Sequence, residues 1–432
     1  MKRGREGGVQ RIFRPLSESG IPCILTINGG SSSIKFALYQ LSSGMSRLMV
    51  GKIERIGLSK PTLTFRDDGK ESETQVIAAR DYRAAGNFLI DWLEKRIGFD
   101  KVAGVGHRVV HGGPKFSEAH RVTRELLDEL RRLSPYDPEH LPSGIRIMEV
   151  FHARHPRLPQ VACFDTAFHR HMPRVAKLLP IPRRFDKKGV QRYGFHGLSY
   201  AYLLEELQRV AGRKAARGRV IMAHLGNGAS LAAVRDGKSI DTSMGFTPAA
   251  GVPMSTRSGD LDPGLVWYLA RTENMSVRQF HEMVHHQSGL LGVSETSPDM
   301  RDLEAREARD IRAAEAIELF CYQVKKWIGA FAAALGGVDT LIFAGGIGEN
   351  SPEARRRICQ GLGFLGIDVD NSRNRNARPI ISRQSSRVTV RVIRTDEEAM
   401  IARAVCRVLG LSSVGSLKFE IRKLSRANVL SN

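Results

Sequence analysis

The chain has 432 residues, of which 42% are hydrophobic and 26% charged, a balance typical of a two-domain globular enzyme. Its 66 Lys and Arg residues exceed its 45 Asp and Glu residues by 21, but the excess is spread along the chain, so we expect attraction of anionic substrates rather than nucleic-acid binding. Five cysteines without C-x-x-C spacing indicate neither a disulfide framework nor a zinc site and fit a reducing cytoplasm.

The first twenty residues are rich in Arg and Gly and lack the apolar core of a secretory signal, which predicts a basic, disordered extension. A transit peptide is the alternative, and Glu6 and Glu18 argue against it. The weakly polar stretch 328–348 is interrupted by Gly336, Gly337 and Asp339, so we predict a helix followed by a strand and no membrane span.

Strand-like and helical segments alternate along the rest of the chain, which indicates an α/β fold. The predicted strands are 24–27, 34–39, 105–110, 161–164, 220–225, 231–234, 341–344 and 388–393. The predicted helices are 83–97, 125–133, the core helix 310–335, and one starting at Ala399 that packs back on the first domain. We expect a first domain of residues 21–164 plus about 397–410, a second of 165–396, and an unassigned tail of 411–432.

One pattern occurs twice: ILTINGGSSSIKFALY at 24–39 recurs in outline as VIMAHLGNGASLAAV at 220–234, with Ser33 aligned to Ser230. In each copy two apolar runs flank a turn of small residues, which predicts a hairpin rather than a strand-to-helix phosphate loop. The repeat indicates a duplicated domain whose two turns face each other across a cleft. Such turns offer backbone N–H groups and hydroxyls to phosphates, so we expect nucleotide-dependent phosphotransfer.

The first turn adds Lys35 to three serine hydroxyls, and Asn28 can offer its carbonyl oxygen to Mg²⁺, although an ordinary hairpin turn is the alternative. Arg108, in GHRVVHGG, stands where an apolar strand ends and can pair in bidentate fashion with a carboxylate or phosphate. Arg257, in PMSTRSGDLDPG, has the same character. The chain has no G-x-x-x-x-G-K-[S/T] motif, and Gly346-Ile347-Gly348 lacks the third glycine of a dinucleotide fingerprint.

Eight segments, in order from about residue 22 to 408, resemble the acetate kinase family. They are INGGSSSIKFALY, GHRVVHGG, FDTAFH, RYGFHG, AHLGNGASLAAVRDGKSIDTSMGFTP, PMSTRSGDLDPG, FAGGIGENSPE and TDEEAMIAR. The resemblance implies two actin-like ATPase (ribonuclease H-like) domains closing on a nucleotide, and reversible transfer of the ATP γ-phosphoryl group to acetate, giving acetyl phosphate and ADP. It also implies a homodimer.

The resemblance assigns roles to individual positions. The catalytic positions are Asp165, His196 and Arg257. Those for the acyl substrate are Arg108 for the carboxylate and Val110, Phe195 and Pro248 for a small apolar pocket. Those for ATP are Lys35, Ser31, Ser33, His224, Leu225, Gly226, Asn227, Gly228, Asp299, Met300, Arg301, Gly346, Ile347, Gly348, Glu349 and Asn350. Those for Mg²⁺, with Mn²⁺ as the alternative, are Asn28 and a Glu of the TDEE motif.

The chemistry of these residues suits that reaction. A carboxylate with a pKa near ~4 is already ionised, so no base is needed, and the difficulty is holding two anions about 3 Å apart. Losing one cation such as Arg108 or Arg257 should cost roughly 3–6 kcal/mol. Asp165 can hold a metal-bound water, orient an arginine, transfer a proton, or simply cap a helix. His196 can be a turn histidine, but Gly194 and Gly197 indicate close approach of another group.

Two further patterns affect the site. Thr395-x-x-Glu398 fits a capping box, which gives Glu398 a structural role and leaves Glu397 for the metal. Where the family has A-P-L-H-N-P and G-T-S-H, this chain has Ser134-Pro135-Tyr136-Asp137-Pro138 and Gly197-Leu198-Ser199-Tyr200. These changes leave open propionate or another short acid as substrate, with His140 a candidate to fill the vacated space. A nucleotide-binding protein without transfer chemistry is the alternative of another class.

Overall fold

The computed structural model describes residues 21–30, 32–42 and 44–411. The predicted basic extension, Ser31, and all of the predicted tail after Leu411 lie outside these described residues. Within the described part of the chain, no helix has the length and apolar character needed to cross a membrane.

The first half of the chain forms one sheet. Its strands are β1 (Cys23–Gly29), β2 (Ile34–Leu41), β3 (Met45–Glu54), β4 (Thr62–Asp67), β5 (Glu73–Val76), β6 (Val102–Val109), β7 (His120–Arg121) and β8 (Gln160–Phe164). Its helices are α1 (Tyr82–Ile97), α2 (Arg124–Leu133) and α3 (Leu141–Arg154), with 3₁₀ turns at Phe99–Lys101, Ser134–Tyr136 and Asp165–His171. The strands lie in the order β5-β4-β3-β2-β1-β6-β8-β7.

The second half forms a five-stranded sheet. Its strands are β9 (Val220–Leu225), β10 (Ala229–Arg235), β11 (Lys238–Thr242), β12 (Thr340–Ala344) and β13 (Thr389–Val392). The helices are α4 (Arg174–Lys177), α5 (Arg183–Asp186), α6 (Gly197–Arg217), α7 (Gly264–Thr272), α8 (Val277–His286), α9 (Gly289–Ser294), α10 (Met300–Glu304), α11 (Ile311–Leu335), α12 (Gly345–Asn350), α13 (Pro352–Cys359), α14 (Asn371–Arg375) and α15 (Glu397–Leu409), with a 3₁₀ turn at Gly363–Leu365. The strand order is β11-β10-β9-β12-β13.

The two sheets repeat one topology. In each, three antiparallel strands (β3-β2-β1 and β11-β10-β9) are followed by two strands parallel to the third (β6 and β8, β12 and β13). This repetition confirms the predicted duplication and the predicted hairpins. The alignment of Ser33 with Ser230 is wrong, because Ser33 lies in the first turn whereas Ser230 lies inside β10, opposite His224.

Two helices place the site relative to the sheets. In α11, Asp310 caps the start, Gly336 at φ +72° ends the helix, and apolar residues three or four apart fill the second core. α15 lies across β1, β6 and β8, where β6 has a glycine because a Cβ at Gly106 would be 2.3 Å from Ile401 Cγ2. This close packing sets the start of α15, with Glu397 and Glu398, beside the ends of β1 and β6.

Candidate active site

A cleft of about 1000 Å³ receives residues from both halves of the chain. The first sheet contributes Asn28, Gly30, Lys35 and Arg108, the residue just before α3 is His140, and α15 contributes Glu397 and Glu398. The second half and the segment before α15 contribute His196, His224, Gly226, Asn227, Gly228, Ser255, Arg257, Pro298, Asp299, Met300, Arg301, Glu304, Gly345, Gly346, Ile347, Glu349, Asn350, Ser351, Arg394 and Thr395. Both hairpin turns and both predicted arginines therefore open onto one space.

Arg108 and Asp165 form a buried ion pair at the ends of two parallel strands. Arg108 donates from Nε to both carboxylate oxygens (3.2 and 3.1 Å) and from Nη2 to Oδ2 (2.6 Å), and its Nη1 donates to Asn28 Oδ1 at 3.1 Å. Burial raises the pKa of Asp165, and the Arg108 charge opposes that rise. Burial lowers the pKa of Arg108, but the Asp165 and Glu397 carboxylates outweigh it and raise that pKa above its ordinary value. Arg108 is thus a fixed, permanent cation.

Asp165 does not cap a helix. It is the first residue of a 3₁₀ turn in which no side chain makes a cap hydrogen bond, and its side chain is fully buried against Arg108. The close approach indicated by Gly197 is made by the protein itself, because a Cβ there would lie 1.9 Å from the Asp165 carbonyl oxygen. Gly194 is likewise constrained by His169, whose Cδ2 would be 2.7 Å from a Cβ.

Asn28 connects this ion pair to two adjacent carboxylates. Its Nδ2 donates to Glu397 Oε2 at 3.1 Å and to Glu398 Oε1 at 3.3 Å. Burial would raise the pKa of Glu397, but Arg108 and His224 outweigh it and lower that pKa. Burial and the charge of Glu397 raise the pKa of Glu398. The two carboxylates therefore differ in how readily each takes up a proton.

The capping box predicted at Thr395 is wrong. Asp396 caps α15 by accepting from Ala399 N at 2.9 Å, and Thr395 Oγ1 instead pairs with Ser199 Oγ at 2.8 Å. Glu398 consequently has no cap to complete and lines the cleft. The sequence pattern failed because two residues of similar capping chemistry stand next to each other.

Two stacked histidines face the first half from the second. His196, at φ +56°, bonds through Nδ1 to Ser230 Oγ at 2.8 Å, and its ring lies 4.3 Å from that of His224. Burial, reinforced by His224 and Arg108, holds the pKa of His196 well below its usual range. Burial also lowers the pKa of His224 to about 4. Near neutral pH both rings are therefore uncharged donors or acceptors rather than cations.

Arg257 has a looser environment than Arg108. Its Nη1 donates to the Pro248 carbonyl at 3.3 Å and contacts Met254 Sδ at 3.9 Å. Burial lowers the pKa of Arg257 and the charge of Asp137 opposes this, so the guanidinium stays protonated. No carboxylate among the described residues forms an ion pair with Arg257 within 4.0 Å, leaving its charge available to an anion in the cleft.

The remaining predicted positions divide into those that line the cleft and those that do not. Lining the cleft are Lys35, His224, Gly226, Asn227, Gly228, Asp299, Met300, Arg301, Gly346, Ile347, Glu349 and Asn350. Not lining it are Ser33, Asp165, Leu225, Gly348, Val110, Phe195 and Pro248. Val110 lines a small separate cavity that also receives Arg108 and His140.

Several lining residues went unnoticed in the sequence. Glu304 accepts a hydrogen bond from Ser351 Oγ, and its pKa is raised mainly by burial. Ser255 stands in the same motif as Arg257, and Arg394 precedes the TDEE motif, so attention to motif neighbours would have found both. Glu304 is the last residue of α10, three residues after Arg301, and no motif in the sequence points to it.

The altered acyl-side segment folds against an aromatic cluster. Tyr136 packs 5.4 Å from His111 and 5.0 Å from Phe246, and its hydroxyl donates to the Lys188 carbonyl at 2.8 Å. Asp137 is buried and pairs with His140 at 2.9 Å. Neither Tyr136 nor Asp137 lines the cleft, whereas His140, the candidate to fill the vacated space, does.

The carboxylate and amide oxygens at the start of α15 suit a hard cation. In the described residues, no group of three or more His, Cys, Asp or Glu side chains is arranged to hold a metal ion. Mg²⁺ usually takes one or two carboxylates and completes its shell with water and substrate phosphates. Asn28 lies within hydrogen-bond distance of both Glu397 and Glu398 beside the cleft, and these three residues fit this requirement.

Known proteins that resemble this chain in sequence along most of its length belong to one family. Residues 23–403 match the model of the acetokinase family. The chain is 44% identical over 391 residues to a propionate kinase of Citrobacter rodentium, covering 89% of this chain and 96% of that one. It is 43% identical over 393 residues to an acetate kinase of Bacillus subtilis, covering 89% and 99%.

Solved structures give the same picture. The acetate kinase of Porphyromonas gingivalis superposes with a TM-score of 0.82 at 37% identity, covering 90% of this chain and 100% of that one. A propionate kinase from Francisella tularensis superposes with a TM-score of 0.84 at 36% identity, covering 89% and 99%.

Proposed function

The chain belongs to the acetokinase family, a family of carboxylate kinases that use ATP, and from that premise we propose that it transfers the γ-phosphoryl group of ATP directly to acetate. The products are acetyl phosphate and ADP, and the reaction is reversible. Propionate or another short carboxylate is the alternative acceptor, because a propionate kinase is among the similar proteins. The observation that carries the proposal is the opening of Arg108 and Arg257, from opposite halves, onto the cleft between the two hairpin turns.

The mechanism is electrostatic. The acid arrives ionised and needs no base, so the site must offset the repulsion between the carboxylate and the γ-phosphate. We assign the carboxylate to Arg108, and the transferring phosphoryl group to Arg257 and His196. Lys35 adds a further cation at the first turn. Bond formation by the acyl oxygen and departure of the ADP oxygen then proceed in line at phosphorus.

His196 acts as a neutral donor in this proposal. Tyr200 and Ser230 hydroxyls lie 2.5 Å apart, and Ser230 lies 2.8 Å from His196 Nδ1. We assign a relay in which Tyr200 donates to Ser230 and Ser230 donates to Nδ1, which leaves the histidine proton on Nε2. A preorganised neutral donor stabilises negative charge developing on the phosphoryl oxygens.

Asp165 serves as a positioning residue. It accepts three hydrogen bonds from Arg108 and is fully buried, so it fixes the direction of the guanidinium. Since a carboxylate nucleophile needs no deprotonation, this role accounts for Asp165 without a proton-transfer step.

We assign Mg²⁺, with Mn²⁺ as the alternative, to Glu397 and Asn28, and Glu398 is the third oxygen donor beside them. When bound, such an ion neutralises charge on the β- and γ-phosphates. Asn28 Oδ1 accepts from Arg108 and retains a second lone pair. We assign ATP to the segments at 224–228, 299–301 and 346–350, and the acyl chain to the side of Arg108 where Val110 lines the small cavity.

The direct test is incubation with ATP, Mg²⁺, acetate and hydroxylamine, which traps an acyl phosphate as the hydroxamate. We expect hydroxamate above background, and kcat/KM measured with formate, acetate, propionate and butyrate identifies the preferred acid. Binding of ATP by calorimetry without hydroxamate from any of the four acids would instead favour the nucleotide-binding alternative.

A homodimer is also part of the proposal. None of the residues of α7 is buried in the single chain, and Trp267 and Tyr268 are 69% and 60% exposed. Large aromatic side chains on one helix are typical of a surface covered by a partner. Light scattering at micromolar concentration should give twice the chain mass, and a monomeric mass would contradict this. A cytoplasmic location stays a prediction from the cysteine pattern.

A further inference from the structure

We propose that His140 is a further catalytic residue, which donates a hydrogen bond from Nε2 to the acyl carboxylate, and that Asp137 is its positioning residue. This inference rests on the proposed function and adds a contact on the acyl side of the same cleft. The pair belongs to the segment between α2 and α3.

The pair is held rigidly. His140 Nδ1 lies 2.9 Å from Asp137 Oδ1, and the two side chains are 12% and 2% exposed. The backbone around them is tied down as well, since Leu141 N donates to the Asp137 carbonyl at 3.2 Å and Gly144 N to the His140 carbonyl at 3.0 Å. Ser143 Oγ also donates to that His140 carbonyl, at 2.9 Å. The imidazole therefore has one well-defined orientation.

The His140 ring lies at the junction of two spaces on the acyl side of the site. His140 lines the large cleft together with Arg108, His196 and Arg257. It also lines the small cavity that holds Val110 and Arg108. A side chain at the junction of these two spaces stands where the carboxylate of a small acid would pass from its apolar pocket to the phosphoryl group.

The charge of Asp137 determines which nitrogen of the His140 ring must carry a proton. Burial alone would raise the pKa of Asp137, but the hydrogen bond and charge of His140, with smaller contributions from His111 and Arg257, outweigh it and lower that pKa. An ionised carboxylate can only accept, so Nδ1 of His140 must carry a proton and donate to it. Nε2 has no hydrogen-bond partner among the described residues. When the ring is protonated, that nitrogen is a donor supported by a buried negative charge.

This arrangement also explains why the sequence can carry an aspartate beside the anionic substrate. Asp137 Oδ2 is buried without a partner in the described structure, and alone it would repel a carboxylate. Paired with His140 in its imidazolium form, the aspartate presents a donor to the cleft instead of a charge of the same sign as the acid. The two residues thus act as one unit.

The test measures steady-state kinetics with ATP and acetate, or with the preferred acid if another is better. We expect His140→Ala to raise the KM for the acid and lower kcat/KM for it by ~10–100-fold, with the KM for ATP nearly unchanged. His140→Gln, which keeps an N–H near the position of Nε2, should recover part of the loss. Added imidazole should raise the activity of His140→Ala. The matched control is His152→Ala, which removes an exposed histidine from α3, the helix that follows His140.

Asp137→Asn should lower kcat/KM for the acid by about 10-fold. Because Asp137 acts through His140, the double variant should be no worse than His140→Ala alone. Equal effects on both substrates, or additive losses with no recovery by His140→Gln or imidazole, would show a merely structural role and overturn the inference. An active wild type with an unaffected His140→Ala variant would also overturn it and leave the proposed function intact. A wild type that forms no hydroxamate would contradict the proposed function itself.

Discussion

The two hairpin turns have the same place in the two halves but different chemistry. The first, at residues 30–33, closes with Gly30 N donating to the Ser33 carbonyl at 2.8 Å and leads into Lys35. The second, at 226–228, is one residue shorter, closes with Gly226 N donating to the Gly228 carbonyl at 3.1 Å, and packs against His196. Duplication of the fold therefore did not duplicate the site.

The same contrast extends beyond the turns. The first half and α15 bring a buried network of ionisable groups, made by Arg108, Asp165, Glu397 and Glu398. The second half brings two neutral histidines, backbone donors and the weakly held Arg257. The first half thus offers anions a cation that is paired with buried carboxylates. The second half offers them neutral hydrogen-bond donors and an arginine that has no carboxylate partner in the part of the chain that the structure describes. The following predictions test this division.

The largest expected effects come from the two arginines. Arg108→Ala and Arg257→Ala should each lower kcat/KM by ~10³–10⁵-fold, as loss of a cation at a transferring phosphoryl group does. Their stabilities should differ, because Arg108→Ala leaves Asp165 buried and unpaired at a cost of about 3–5 kcal/mol, whereas Arg257→Ala leaves only a carbonyl and a sulfur atom. Kinetics and urea unfolding of both variants measure the two effects. If both variants were destabilised equally, the contrast between a paired Arg108 and a weakly held Arg257 would be contradicted.

The next effect concerns buried histidines, which both halves contain. Burial lowers the pKa of His107 in the first half, and of His169 and His224 near the second, to about 4. The unfolded chain takes up these protons below pH ~6.5 and the folded chain only near pH 4. Stability should therefore be constant above pH ~6.5 and fall as the pH drops from ~6.5 to ~4, by up to about 3 kcal/mol for each histidine.

Unfolding free energies measured between pH 4 and 8 check this. His107→Gln and His224→Gln should each reduce the acid-side slope by about one proton. His152, which is exposed, serves as the control. A slope unchanged in both variants would show that these rings are protonated in the folded state.

The adjacent carboxylates of α15 give a smaller effect on the metal. Glu397, whose pKa is lowered, stays charged, whereas Glu398, whose pKa is raised, holds its proton more readily. Glu397→Gln should therefore raise the Mg²⁺ concentration for half-maximal activity by ~10–100-fold, and Glu398→Gln by only a few-fold. Activity titrated with Mg²⁺ at saturating ATP distinguishes them. A larger effect at Glu398 would reverse the assignment.

Local patterns in the sequence were sufficient for much of the fold. The hairpins and α11 follow from apolar runs and from spacing of three or four residues, which depend on neighbours in the chain. The meander β3–β5 was missed. In β3, Gly51 interrupts the apolar alternation, and the reason for that glycine is tertiary: a Cβ there would lie 2.2 Å from Phe36 Cζ. Strand order and closure of the cleft likewise depend on contacts between distant segments.

The sequence was sufficient to predict many residues of the candidate site but not the hydrogen bonds between them. Arg108 and Arg257 stood out in glycine-rich motifs, and the structure brings both to one cleft. The cap at Asp396 was not predictable, because the bond from Thr395 to Ser199, 196 residues away, decides which side chain is free to cap. The i, i+3 spacing of Asp137 and His140 was visible, but not the direction of the ring.

The smallest expected effect compares the turns directly. A Cβ at Gly228 would lie 3.1 Å from His196 Nε2, on a ring fixed by Ser230, whereas a Cβ at Gly30 would lie 3.0 Å from Ser33 Oγ, the mobile end of a side chain. Gly228→Ala should therefore displace His196 by a few tenths of an ångström and lower kcat by about 10-fold, since misplacement by 1 Å can cost ~10²-fold. Gly30→Ala should change kcat by less than about 3-fold, because the serine can rotate away. A Gly30→Ala variant as impaired as Gly228→Ala would mean that the backbone of the first turn, and not its charges, carries that half of the site.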